Sequence, residues 1–335
     1  MNRYGFFFIT IGFLFSHFLS PAQNIIEDDS ITYETFYDDP QHINKLYIHI
    51  QPVYGELFMT NVNMGYGFEV DYFLKDKFDF NASFRKAYGQ KSDFVRDVAE
   101  KNSEVLNDPK KFYFAELGLA YHIIDREEAS KAKFILYSKT FQYGNKWEST
   151  IPRHIEAPAQ LRRIYGVRLG AASYQSTVDV NRIIVDQENI PRDAFNGLSA
   201  YSNIMNHGFY IGGLLKLIKN VTINFDQIYQ QITNDLIFTT YLDLLVFPFT
   251  TVEDIQYIPP SGSQEQVFPG DNINTTTIGM RTGINGKFNR DFSFGYNVEL
   301  GYRPGIQGQN FYILGKVSFP LIGFMLEKPG EEISR

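Results

Sequence analysis

Between Val62 and Leu74 every second residue is apolar or aromatic: Val62, Met64, Tyr66, Phe68, Val70, Tyr72 and Leu74. The residues between them, Asn63, Gly65, Gly67, Glu69 and Asp71, are polar or glycine. Successive side chains of a strand point to opposite faces, so a period of two gives this stretch one greasy face and one wet face. Lys75-Asp76-Lys77 reads as a turn, after which Phe78, Phe80, Ala82 and Phe84 alternate with Asp79, Asn81, Ser83 and Arg85. The pattern returns late in the chain. Ile278, Met280 and Ile284 alternate with Gly279, Arg281, Gly283 and Asn285, and Asn289-Arg290-Asp291 turns the chain. Phe292, Phe294, Tyr296, Val298, Leu300 and Tyr302 then lie opposite Ser293, Gly295, Asn297, Glu299, Gly301 and Arg303. A closing strand runs from Phe311 to Leu321.

A soluble sandwich also alternates, and three features separate the two cases. The arms are about 10 to 14 residues long, more than globular strands need and enough to cross a bilayer at a tilt. Aromatics stand at the ends of the apolar faces, where interfacial girdles belong. The wet face carries Glu69, Asp71, Arg85, Arg281, Glu299 and Arg303, which a sandwich core would not accept. The pattern therefore predicts an all-β fold, a transmembrane antiparallel barrel with its apolar side outward. Twelve strands are expected at 44–58, 62–74, 78–88, 111–124, 132–142, 146–156, 161–178, 205–218, 220–232, 274–288, 291–304 and 309–321, with fourteen as the second choice. Short connections at 75–77, 125–131, 157–160, 219–220 and 289–291 are expected on the periplasmic side, and long ones at 89–110, 179–204 and 233–273 outside. Lipid-facing positions are Tyr66, Phe68, Val70, Tyr72, Phe78, Phe80, Phe84, Phe292, Phe294, Tyr296, Val298 and Tyr302. Positions facing the lumen are Glu69, Asp71, Asp79, Arg85, Glu116, Arg168, Lys216, Asp226, Arg281, Glu299 and Arg303.

The ends of the chain read differently. Arg3, an uncharged apolar stretch from Tyr4 to Phe15, and Ser20-Pro21-Ala22-Gln23 make a secretory signal peptide over residues 1–23. Residues 24–43 form an acidic periplasmic tail with no strand-length alternation, residues 44–321 the barrel, and 322–335 a second periplasmic tail. Beyond the signal peptide no segment reaches 18 uninterrupted apolar residues, and the best of them, Leu236 to Phe249, contains Asp243.

Phenylalanine- and tyrosine-rich hairpins, the Pro-Ala-Gln cleavage site and the ending Gly315-Lys316-Val317-Ser318-Phe319-Pro320-Leu321 resemble outer-membrane barrels of the Bacteroidota phylum. The chain loosely resembles the PorP/SprF-type barrels of type IX secretion and barrel subunits of outer-membrane assembly machines. The Pro-Gln-Tyr-rich start and Asn-Pro-Ala motif usual in the PorP/SprF type are missing between Asn24 and Asn44. This resemblance implies an outer-membrane location with both termini periplasmic, lipid contact, and partners among other outer-membrane or periplasmic proteins. Asp29-Ser30-Ile31 is similar to the O-glycosylation tripeptide of secreted Bacteroidota proteins, which makes Ser30 a candidate modification site.

Composition narrows the chemistry. The 335 residues contain no cysteine, which removes thiol catalysis, disulfides and Cys-ligated zinc. A net charge of -7 leaves no basic footprint for nucleic acid. Ser202, Asn203, Asn206 and His207 come nearest to a barrel hydrolase, without a hydrolase order or spacing, and read as a solvated loop entering a strand. Glu27, Asp28 and Asp29, with Asp38 and Asp39, lack the alternating ligands and glycine of a calcium loop. No catalytic residue, metal or cofactor is expected. Lumen charges of both signs in a narrow ring should pair and fill it. From sequence, a non-enzymatic subunit of a secretion or barrel-insertion assembly comes first, a narrow small-solute channel with charge-set selectivity second, and a hydrolase a distant third.

Overall fold

The computed structural model of the chain describes residues 33–59, 61–74, 77–89, 105–137, 142–143, 146–147, 152–180, 187, 200–225, 231–258, 264–290 and 293–324. Ten antiparallel strands close on themselves. They are β1 (Leu46–Phe58), β2 (Asn61–Leu74), β3 (Phe78–Ala87), β4 (Tyr113–Tyr137), β5 (Pro152–Asp179), β6 (Tyr201–Ile218), β7 (Leu236–Val252), β8 (Ile278–Phe288), β9 (Gly295–Tyr302) and β10 (Phe311–Phe324). Each pairs with its neighbour in sequence, and β10 returns to β1 with Tyr312 opposite Phe58 and Phe324 opposite Leu46. Closure leaves the ring without a free edge, so every strand spends its backbone hydrogen bonds on both sides. β1 begins and β10 finishes at the same rim, the terminal mouth. The opposite mouth carries the long connections.

The ring has ten strands where twelve are expected, for three reasons. The stretches expected at 111–124 and 132–142 are one strand, β4, and those at 146–156 and 161–178 are one strand, β5. The supposed turns at 125–131 and 157–160 lie inside these strands and pair with each other, Lys131 opposite Pro158 and Ala129 opposite Gln160. Their charges and proline imitate turns because the hairpin runs past the barrel, where both faces can be polar. Pro158 is tolerated because β6 reaches β5 only from Arg162 onward, so β5 is an edge there. The expected strand at 220–232 is instead two short strands, Val221–Phe225 and Gln231–Asn234, outside the ring. The ring's missing member is β7, which falls inside the expected outer loop 233–273.

Val221–Phe225 pairs on one side with Gln231–Asn234 and on the other with Tyr33–Asp38. Part of the expected tail is therefore a strand, made stable by a partner nearly two hundred residues away. Val221 and Ile223 of this sheet bury themselves against Ala132, Phe134, Ala157 and Ala159 of the extended β4–β5 hairpin. The closing strand continues three residues past Leu321, to Phe324. The signal peptide, Ser30, Asp226, Phe292 and the chain after Phe324 lie outside the described residues.

The small sheet packs on the β4–β5 extension and not inside the ring, so a side-chain truncation in it tests how far the two are coupled. Ile223→Ala should cost the small sheet about 2 to 5 kcal/mol. Limited proteolysis should then cut sooner near residues 33–38 while the ring keeps its heat-modifiable gel mobility; simultaneous loss of both would make them one cooperative unit.

Candidate functional site

Alternation decides which side chains enter the ring. Outward, Phe68, Phe80, Phe84, Phe294, Val298 and Tyr302 are exposed, and Tyr66, Val70, Tyr72, Phe78 and Tyr296 share that face, half-buried among their neighbours. Inward lie Glu69, Arg85, Glu116, Lys216, Arg281, Glu299 and Arg303, all buried, with Asp71, Asp79 and Arg168 on the same face. The molecule is greasy outside and charged inside.

Four inward charged residues escape the sequence reading, Glu56, Asp243, Lys287 and Lys316, and they complete the lumen's ion pairs. A bulge between Gln51 and Tyr54 shifts the phase of β1 and turns Tyr54, Glu56 and Phe58 inward. Asp243 reads from sequence as an interruption of an apolar run, and it is the polar inward position of β7. Lys287 extends the alternation already noted in β8, and Lys316 stands between the outward Gly315 and Val317 of β10 on its inward side.

Three levels of ion pairs follow the axis. Nearest the loops, the Glu56 carboxylate accepts from Arg303 Nη1 at 2.6 Å and Arg85 Nη2 at 3.1 Å. Two cations on one carboxylate leave a positive excess, and aromatic faces meet it. Arg303 lies over Tyr312 at 4.0 Å, Phe58 at 4.6 Å and Phe114 at 4.8 Å. At the middle level Arg281 donates to Glu116 through both terminal nitrogens at 2.7 Å and to Asp243 through Nε at 2.7 Å. Arg168 bridges the same two acids at 3.2 and 3.3 Å. Glu299 accepts from the Tyr241 and Tyr312 hydroxyls. This level has a negative excess. Gly118 and Gly170 make it possible, because a Cβ at either would strike the Tyr210 hydroxyl that lies between them; the Tyr210 ring supports Arg281 at 4.5 Å.

Toward the terminal mouth, Lys316 donates to Glu69 at 2.7 Å, Lys287 to Asp71 at 2.5 Å, and Lys216 to Asp79, which also faces His122. The arginines and lysines divide the acids between them: Arg85 and Arg303 go to Glu56, and Glu69 and Asp71 go to lysines. Across the three levels Glu56, Glu69, Asp71, Asp79, Glu116, Asp243 and Glu299 balance Arg85, Arg168, Lys216, Arg281, Lys287, Arg303 and Lys316. An equal number of each sign lets the lumen neutralise itself without counterions.

A cavity of about 110 Å³ remains among these groups, lined by Asp71, Asp79, Glu116, Arg168, Lys216 and Glu299 with others. Polar walls and that volume suit a few waters or a small polar solute. Apolar clusters stand at both ends. At the loop mouth Phe58, Phe112, Tyr174, Phe247 and Ile306 pack together under the loops. At the terminal mouth Tyr47, Phe73, Ile164, Ile218 and Ile237 surround Ile43. Ile43 belongs to no barrel strand. The segment that carries it is pinned by Asn44, whose backbone N–H donates to Asn289 Oδ1 at 2.8 Å, and by Asn220, whose Nδ2 donates to His42 O at 2.6 Å. Nearby and beyond the belt, burial pushes the Asp235 carboxyl up, opposed by Arg290, and pushes the Tyr37 hydroxyl up to about 12, helped by Asp39 and Asp38.

The hydrolase candidates do not assemble. Ser202 is buried and donates to Glu253 O at 2.6 Å, and Asn203 and Asn206 are tied into loop and lumen bonds. His207 faces outward. No cluster of three or more metal-ligating side chains occurs among the described residues.

No family model and no curated protein matches the chain. Among solved structures, the CymD monoaromatic hydrocarbon channel aligns over 85% of this chain and 90% of its own, at 7% identity and a TM-score of 0.23. A likeness that slight carries no function across.

The ion pairs make a sharp test. Glu56→Gln leaves Arg85 and Arg303 without their carboxylate and should cost about 3 to 5 kcal/mol. Lys131→Ala breaks only an exposed pair with Glu156 and should cost about 0 to 1 kcal/mol. Urea unfolding midpoints compare the two; equal midpoints would mean that the lumen pairs are as solvated as the exposed one.

Proposed function

We propose that this chain is an outer-membrane β-barrel offering small polar solutes a narrow path that is closed at rest. The apolar outer wall supports the membrane placement: a belt with charges facing away from it is the inverse of a soluble protein, and ten strands close it without an edge. In this reading the termini and the small sheet face the periplasm and the long loops face outside.

One observation carries the path. Inward side chains of the wall pack around Ile43 at the terminal mouth, among them Phe73, which also lines the polar cavity; Ile43 is not part of the wall, so this plug can leave while every wall hydrogen bond stays. Sequence alone puts a subunit role first; the lumen with its separable stopper puts the path first. The paired charges would set what passes, favouring solutes that can exchange hydrogen bonds with both signs.

The second reading, a subunit of a larger outer-membrane assembly, has its own support. The β4–β5 extension and the sheet packed on it stand beyond the belt and contribute nothing to the wall. They offer a partner a rigid surface, and mild co-purification tests that role.

Placing Arg at Phe68 or Val298, outward and within the belt, should cost about 2 to 4 kcal/mol each and lower the yield of heat-modifiable barrel. Assembly as ready as the parent's would remove the membrane face. In planar bilayers the parent should conduct rarely, whereas a chain lacking residues 33–44, or carrying Ile43→Ser, should open several-fold more often. A deletion variant that assembles and stays silent would overturn the path and leave the subunit reading.

A further inference from the structure

The outer wall is not uniformly smooth. Across the outer side of β4 to β7, near the terminal side of the belt, lies a groove of about 670 Å³ walled by Ile123, Ile124, Tyr165 and Leu242. Two local features make it. β4 carries a bulge between His122 and Ile124, which throws Ile123 outward to 60% exposure. β6 has Gly213 at an outward position, where an added Cβ would meet nothing closer than Gly166 O at 3.9 Å. The missing side chain leaves an indentation in a face otherwise built of Val167, Leu215, Ile211 and Leu242.

The charge at its end identifies the occupant. Two residues past Ile124 on the same face, Arg126 is exposed and lies directly opposite Arg163 in the β4–β5 register. Like charges directly opposed across a strand pair repel. Arg163 is satisfied by Glu128 at 2.6 Å, and no hydrogen bond or ion pair holds the Arg126 side chain among the described residues. The site thus has a net positive charge at the margin of the belt, at the level of Leu217, which pairs with Arg163. That is the depth at which a phosphate lies when its acyl chains lie in the belt.

We propose that this groove binds one anionic phospholipid, an acyl chain lying over Gly213 and the phosphate taken by Arg126 beside Arg163. The proposal rests on the membrane reading above and adds to it a specific lipid with a specific seat. Guanidinium is suited to the task, since its planar donors match a phosphate in two places.

Native mass spectrometry of the delipidated full chain, titrated with phosphatidylglycerol or phosphatidylcholine, tests it. The parent should retain one phosphatidylglycerol with at least a several-fold preference. Arg126→Gln should abolish the preference and keep residual binding of both lipids. Gly213→Leu, which the open space accepts without a clash, should reduce retention of both. No headgroup preference in the parent, or parent-like retention by both variants, would reduce the groove to ordinary lipid contact and overturn the proposal. Heat-modifiable insertion into liposomes is followed in parallel. Failure to insert sinks the membrane reading, whereas insertion with unaltered lipid retention sinks only the site.

Discussion

A charge inside a narrow ring has nowhere to go except to an opposite charge. Ten strands enclose too little space for a column of water and too much for aliphatic side chains alone, and this chain fills the interval with arginine, lysine, carboxylates and tyrosine. Burying each ion costs several kcal/mol, recovered only when the partner's geometry is good and the remaining donors find acceptors or ring faces. Glu56 between Arg303 and Arg85, and Arg281 between Glu116 and Asp243, meet that condition with contacts of 2.6 to 3.1 Å. The register of the whole barrel depends on it. Sliding β8 by one residue would put Arg281 into the outer belt and Met280 into the lumen. The network is therefore as much a specification of strand pairing as a contribution to stability.

The same arrangement limits what the barrel can do at rest. With seven acids against seven bases already paired, the lumen holds no net fixed charge to draw an ion through, and both mouths are apolar. The two closures differ in kind. The loop mouth is covered by connections that begin and end in the wall, with Val105 bridging to Tyr257 and Thr275 to Ile306. The terminal mouth is stopped by Ile43 on a segment held by two asparagines, Asn220 and Asn289. A few side-chain hydrogen bonds are easier to exchange than a strand pairing, so any opening is expected there first. The sheet formed by Tyr33–Asp38 and Val221–Phe225 lies just before this segment and couples its position to the β4–β5 extension.

Much of this was readable in the chain before its structure. β2, β3, β8 and β9 alternate cleanly because each has an apolar outer face and a polar lumen face along its whole length, and Glu69, Arg85, Arg281, Glu299 and Arg303 could be placed from that alone. The failures share a cause: a residue's surroundings change along the strand. β7 leaves the ion network for the aromatic cluster at the loop mouth, so Leu245 and Phe247 make its inner face as apolar as its outer one and the period vanishes. β4 and β5 leave the belt for open surroundings, where Asp125, Arg126, Glu127 and Glu128 imitate a turn. Glu56 was hidden by a one-residue bulge that shifts the phase of β1. Tyr33–Asp38 has no local signal, since its only described partner strand is Val221–Phe225.

A chain without cysteine permits a direct measurement of the closed lumen. Asn297 lines the cavity and is buried, while Lys86 on β3 is exposed. Single Asn297→Cys and Lys86→Cys proteins, assembled in liposomes and treated with a charged, membrane-impermeant thiol reagent on both sides, compare the lumen with the surface. If paired charges and two apolar mouths close the lumen, the thiol at 297 should stay unmodified over times that label position 86 completely, and should become reactive when Ile43→Ser is added. Labelling at 297 as fast as at 86 in the otherwise unaltered barrel would contradict the account, because it would mean that water and ions already pass where the structure packs charge against charge.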